Sequence, residues 1–178
     1  MCAGGEGRAA GLHPNGAVDR EPKKGVRTYG GVHLMDTLGR HVIAELDGCD
    51  AAVLKNCGLI RRHLVEAAAR ARATVLAEKT YEFKNGGVSG FVLLAESHIS
   101  IHTWPEHQYA AIDIYTCGDQ TMPDKGVLHL ADVLGATQIR MTSMSRGVPS
   151  AAGGHEHSLS PLARGHTAPV IIKLFNTA

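Results

Sequence analysis

The stretch from Leu94 to Glu106, LAESHISIHTWPE, gathers two serines, two histidines, two glutamates and the only tryptophan of the chain. Segments that serve packing alone rarely concentrate such groups. A serine beside a histidine can act as an activated nucleophile, and paired histidines can hold a metal. Each group also has a plain structural use: a Ser-His pair in a strand is commonly surface decoration, and a lone tryptophan is commonly core or rim. Spacing narrows the choice. On a strand, His98 and His102 share a face but stand about 13 Å apart at ~3.3 Å per residue, too far to chelate one ion. HExxH and paired CxxC patterns are absent, so no metal is expected. A serine hydrolase wants a nucleophile elbow such as GxSxG, and Glu96-Ser97-His98 lacks the flanking glycines.

These residues need elements to position them. Val42, Ala44 and Leu46 alternate and predict a strand over 41–46. Asp50 caps a helix that carries Ile60, Leu64, Ala67, Ala68 and Ala71 at helical spacing, with Gly58 weakening its start. A β-prone run covers 74–83, Gly86-Gly87 turns the chain, an apolar strand covers 88–94, and 98–103 continues extended. Residues 109–117 alternate, with Ala110, Ile112 and Ile114 on one side and Asp113, Tyr115 and Cys117 on the other. Pro123 suits a helix start, Val127, Leu130, Ala131 and Leu134 form an apolar stripe, and Gly135 stops it. A last strand covers 138–143. Many strands and few helices predict an α+β two-layer sandwich, with a mainly antiparallel sheet and helices on one face. Residues 1–32 read as a flexible N-terminal extension, 33–146 as the working domain and 147–178 as a low-complexity tail. Within the tail, Val170-Ile171-Ile172 suits either a strand or an interaction segment, and His155, His157 and His166 read as biased composition rather than a metal site.

Lysine plus arginine number 18 against 17 aspartate plus glutamate, which argues against a dedicated nucleic-acid binder. No apolar run approaches the ~20 residues of a membrane span, and no apolar h-region opens the chain. A cytoplasmic protein is expected, with no membrane partner. Cysteines at 2, 49, 57 and 117 then read as reduced, mostly buried thiols, Cys117 excepted.

The string Glu96-Ser97-His98-Ile99-Ser100-Ile101-His102-Thr103-Trp104-Pro105-Glu106 closely resembles the processing and active-site segment of the bacterial and archaeal S-adenosylmethionine decarboxylases. The resemblance continues through Tyr109–Gly118 and includes Gly87-Val88-Ser89-Gly90, Leu38-Gly39-Arg40-His41 and Gly48-Cys49. It covers roughly residues 36–146. Lys84-Asn85 departs from the proline usual there, and Asp47 from the common aromatic.

The resemblance implies a proenzyme that cleaves itself between Glu96 and Ser97. The Ser97 hydroxyl attacks the Glu96 carbonyl, converting amide to ester. Elimination frees the Glu96 carboxylate and leaves dehydroalanine; hydrolysis then releases ammonia and leaves a pyruvoyl ketone. His102 matches the processing base that removes the α-proton, and Ser89 a hydroxyl that assists. The pyruvoyl group, made from Ser97 without metal or pyridoxal phosphate, forms a Schiff base with substrate and serves as electron sink. Cys117 matches the proton donor to Cα, and a cysteine thiol is ordinarily protonated at neutral pH. Phe83, Trp104 and Glu106 match substrate-binding positions, Phe83 stacking on adenine and Glu106 accepting from the ribose. The implied substrate is S-adenosylmethionine, giving the aminopropyl donor for spermidine, and the implied assembly is a homodimer of cleaved protomers. Arginine or ornithine remain alternative substrates for the same chemistry, and a non-catalytic regulatory member remains an alternative to an enzyme. Strand alternation puts Ser97 and His102 on opposite faces, so the chain must bend near Ser97 for them to meet. Ser89 lies ~26 Å from Ser97 on a straight strand. Either the chain folds back before Ser97 or Ser89 comes from a neighbouring subunit.

Overall fold

The computed structural model describes residues 28–29, 32–33, 37–160 and 170–173. Its strands are β1 (Thr28–Tyr29), β2 (Val32–His33), β3 (Gly39–Asp47), β4 (Val75–Glu82), β5 (Val88–Leu94), β6 (Ser97–Trp104), β7 (Tyr109–Thr116), β8 (Gln138–Pro149), β9 (His155–Ser160) and β10 (Val170–Lys173). The helices are α1 (Ala51–Leu54), α2 (Cys57–Arg70) and α3 (Pro123–Val133). Eight strands form one sheet in the order β10-β8-β3-β7-β6-β5-β4, with β9 pairing β8 beside β10. Every pairing in it is antiparallel. Among the described residues, β1 and β2 pair only with each other.

Period-2 burial explains the two faces. Val42, Ala44 and Leu46, Val88, Val92 and Leu94, Ile99 and Ile101, and Ala110, Ile112 and Ile114 point inward under the helices. α2 covers them with Ile60, Leu64, Ala67 and Ala68, and α3 with Val127, Leu130 and Ala131. Gly126 lets α3 close up on α2 and on the sheet: a Cβ there would stand 2.8 Å from Ile114 Cδ1 and 3.2 Å from the Ala67 carbonyl oxygen. The expected α+β sandwich is what forms, with the helices on one sheet face.

Two details differ from the sequence reading. The helix expected after Asp50 is two helices. Asp50 Oδ1 accepts from Ala52 N at 2.7 Å and caps α1, and Asn56 Oδ1 accepts from Leu59 N at 3.0 Å and caps α2. A second capping side chain one turn later ends the first helix and starts the next. β8 continues past Ser143 and past Gly147, where composition set the start of a tail. Its outer half pairs with β9, and Val170–Lys173 pairs along 138–141. Backbone pairing, not an apolar pattern, holds the outer half of β8 and β9, so their polar composition hid them, while Val170-Ile171-Ile172 forms the strand that was one of its two expected uses. The remainder of the expected N-terminal extension and of the tail, with Cys2 and His166, lies outside the described residues. No helix among the described residues is long and apolar enough to cross a membrane.

Candidate active site

β5 and β6 form a hairpin through Ala95-Glu96, pairing Leu93 with His98 and Ser89 with His102. The turn is pinned to the entrance of β4: Ala95 N donates to the Thr74 carbonyl at 2.9 Å, and Thr74 N donates to Glu96 Oε2 at 2.9 Å. The Thr74 N–H, chiefly, holds the Glu96 carboxyl below its ordinary pKa. The Glu96 carbonyl oxygen accepts the backbone N–H of Cys117 at 2.9 Å. Ser97 follows with φ of 153°, a value L-residues rarely adopt and a place where backbone strain is stored.

The irregular backbone brings Ser97 against its own neighbour. Ser97 Oγ lies 3.2 Å from His98 Nδ1, and His98 Nε2 lies 2.9 Å from Asp113 Oδ2. One tautomer satisfies both contacts: Nε2–H donates to Asp113, leaving Nδ1 to accept from the hydroxyl. The His98 ring stacks on Phe91, centroids 5.5 Å apart. Asp113 also receives Ser100 Oγ and faces His41 Nε2 at 3.4 Å. Burial pushes the Asp113 carboxyl up, but hydrogen bonds from His41, Ser100 and His98 outweigh it and hold the pKa at about 2. Asp113 therefore stays ionised beside His98 at neutral pH. Arg146 lies over the Tyr115 ring at 4.7 Å. Burial first, then the charge of neighbouring Cys117, raises the Tyr115 hydroxyl's pKa.

A second group sits at the far end of the hairpin. Ser89 Oγ and His102 Nδ1 are 2.7 Å apart. They line a cavity of about 210 Å³ with Phe83, Asn85, Gly87, Thr103 and Trp104. Phe83 is half-exposed and meets Tyr81 edge-on at 4.9 Å. Trp104 packs at 5.2 Å against Tyr109. Glu106 lies in the single-turn helix Pro105–His107 beside this cavity, and Asn85 Nδ2 donates to its Oε1 at 3.4 Å. A larger depression of about 460 Å³, lined by Ala52, Lys55, Asn56, Cys57, Gly58 and Glu82, is open to solvent and contains no Ser-His pair or aromatic.

The nominated residues thus divide into two groups. Glu96, Ser97 and Cys117 meet at one end of β6. Phe83, Ser89, His102, Trp104 and Glu106 meet at the other. The chain does fold back, so Ser89 lies opposite His102 rather than ~26 Å along a strand from Ser97. The groups still stand apart: Ser97 and His102 are five residues apart on β6, about 16 Å. His98 and Asp113 are the residues that sequence reasoning missed as partners of Ser97. Alternation on 109–117 had placed Asp113 on the correct face, but only the β6–β7 register, which sets Ser100 opposite Asp113, brings it to His98. The three cysteines among the described residues also separate. Burial, with Asp47 adding, pushes the Cys49 thiol up to about 11; Cys57 donates to Thr80 Oγ1 at 3.2 Å; Cys117 is exposed.

An antiparallel sheet with helices on one face, and a Ser-His junction at the start of β6 next to Asp113, makes this a small α+β protein of the two-layer sandwich class. The sequence model for S-adenosylmethionine decarboxylase matches residues 40–147, and the chain belongs to that family. It is similar to an S-adenosylmethionine decarboxylase proenzyme of Synechococcus sp. (strain WH7803), 47% identical over 121 residues, 68% of this chain and 94% of that protein. One from Prochlorococcus marinus (strain MIT 9313) is 48% identical over 114 residues, 64% and 91% of the two chains. The crystal structure of the adenosylmethionine decarboxylase from Aquifex aeolicus VF5 matches with a TM-score of 0.61 and 39% identity, covering 65% of this chain and 96% of that one.

Proposed function

We propose that this chain is the proenzyme of a pyruvoyl-dependent S-adenosylmethionine decarboxylase, which cuts itself between Glu96 and Ser97 and supplies the aminopropyl donor for spermidine. The observation that carries the reading is the junction itself. The Glu96 carbonyl is held by the Cys117 N–H at 2.9 Å, while Ser97 sits at φ 153° with its hydroxyl on His98.

His98, kept in one tautomer by Asp113, accepts the proton of Ser97 Oγ as that oxygen attacks the Glu96 carbonyl. Negative charge then builds on the Glu96 oxygen, where the Cys117 N–H already points. Removing the Ser97 α-proton expels the Glu96 carboxylate, and that step falls to His102. In one chain His102 is about 16 Å away, against a hydrogen-bond reach of ~3 Å. A homodimer resolves this. Two open sheet faces related by a two-fold axis set one copy's Ser97 end against the partner's His102 end. Ile43, Phe91, Leu93 and Trp104, all on that face, are 37–44% exposed, which suits a covered surface. The 210 Å³ cavity is also smaller than the ~300 Å³ at which ligand pockets begin, as expected of half a site.

The residues fit a pyruvoyl group at position 97. When formed, that ketone supplies the electron sink for decarboxylation. The chain does the rest: Phe83 offers an aromatic face to adenine, Trp104 walls the cavity, Glu106 accepts from the ribose hydroxyls, and Cys117 returns a proton to Cα. Phe83→Ala is expected to raise KM for S-adenosylmethionine by at least fivefold, about 1 kcal/mol of lost stacking. Carbon dioxide release from carboxyl-labelled S-adenosylmethionine, arginine and ornithine at limiting substrate tests the assignment. Faster release from arginine or ornithine overturns the substrate and leaves the self-cleavage standing; no release from any of the three supports a non-catalytic member.

A further inference from the structure

The helical layer carries a group of side chains that the chemistry above does not use. His63 and Glu66 stand three apart on α2 and so share a face, and His129 reaches them from α3. His63 Nδ1 is 2.9 Å from Glu66 Oε2, and His129 Nε2 is 3.3 Å from the same oxygen. All three atoms lie within 4.8 Å of one another. The imidazoles are largely covered, with 12% and 15% of their side-chain surface exposed, while the carboxylate is 43% exposed. Arg62 Nε stands 3.8 Å from the other carboxylate oxygen, Oε1.

We propose that His63, Glu66 and His129 form a binding site for one divalent transition-metal cation of the zinc type, bridging α2 and α3. Around a tetrahedral ion with bonds of ~2.0–2.2 Å, neighbouring ligand atoms are about 3.3 Å apart. Two of the three separations already stand near that value, and the third is no more than 4.8 Å. Two imidazoles and one carboxylate are a donor set for zinc, cobalt or nickel rather than magnesium or calcium. The exposed side of Glu66 leaves the fourth position to water. Oε2 turns inward to both rings while Arg62 faces Oε1, so the carboxylate is oriented from outside as a ligand is. Without an ion each ring points an N–H at Oε2; with one, the rings shift tautomer and present lone pairs from the same nitrogens. The other histidine–carboxylate group, His41, His98 and Asp113, belongs to the Ser97 centre and needs separate control.

The test is zinc binding to the full, chelator-treated chain, read by competition with a chromophoric chelator and by thermal unfolding. Wild-type and Asp113→Asn are expected to bind one zinc per chain, with the unfolding midpoint raised by at least about 5 °C at a hundredfold excess over Kd. His129→Ala is expected to lose at least tenfold in affinity and all of the thermal shift. Glu66→Gln keeps an oxygen for both rings to bond while removing the ligand charge, so it reports on the metal even where His129→Ala folds poorly, and it should also lose at least tenfold. Zinc binding unchanged in Glu66→Gln, lost in Asp113→Asn, or absent from wild type overturns the site.

Discussion

Cys117→Ala will be cleaved at least in part and will release carbon dioxide about 100-fold more slowly than wild type, or slower still. The two effects separate because the two roles proposed for Cys117 use different atoms. Its backbone N–H holds the Glu96 carbonyl at 2.9 Å, and alanine keeps that N–H. Its thiol is exposed beside the Ser97 junction, and alanine removes it. Loss of a positioned general acid typically costs 10²–10⁴ in rate. The measurement pairs gel or mass analysis of the purified variant with single-turnover release from carboxyl-labelled S-adenosylmethionine. Full activity in the cleaved variant returns Cys117 to the class of ordinary thiols, alongside Cys49 and Cys57.

The second large effect is all-or-none. Ser97→Ala alone and His102→Ala alone will each be isolated as whole chains. Co-expressed with different tags and purified as mixed dimers, the His102→Ala chain will be cleaved and the Ser97→Ala chain will remain intact. In such a dimer one shared site pairs Ser97 of the first copy with His102 of the second; the other site has lost both. This follows from the ~16 Å between the two residues within one chain and from the exposed apolar side chains of the sheet face. Cleavage of His102→Ala on its own removes His102 as the processing base. Absence of cleavage in verified mixed dimers removes the shared site.

Much of this was legible in the sequence. Alternation gave β7 almost to the residue and the middle of β3, because one face of each strand is buried and the other is not, and an apolar run after Gly86-Gly87 gave β5. The helical stripes of α2 and α3 were equally plain, being lined by the residues that pack on the sheet. The chemical segment stood out by composition alone. What sequence did not show depends on tertiary pairing. His98 gains its meaning from Asp113 through the β6–β7 register, and His41 through β3–β7. The strain at Ser97 is a property of the hairpin closed through Ala95-Glu96, since no residue type there announces a φ of 153°. Likewise His63 and Glu66 share a helix face by spacing, but His129 joins them only because α2 and α3 pack together. The break at Lys55-Asn56 was visible in principle: Asn56 is a capping residue, overlooked because Asp50 already supplied one cap.

The central claim is that Ser97 becomes the pyruvoyl group through self-cleavage, and the intact mass of the purified wild-type protein tests it most directly. Two chains are predicted. One ends at Glu96 with an ordinary carboxylate, and the other, beginning at position 97, is lighter by one ammonia than the same fragment starting with serine. A single uncleaved chain, or a second fragment with the full mass of an N-terminal serine, contradicts the account; the latter result marks simple proteolysis at the same bond.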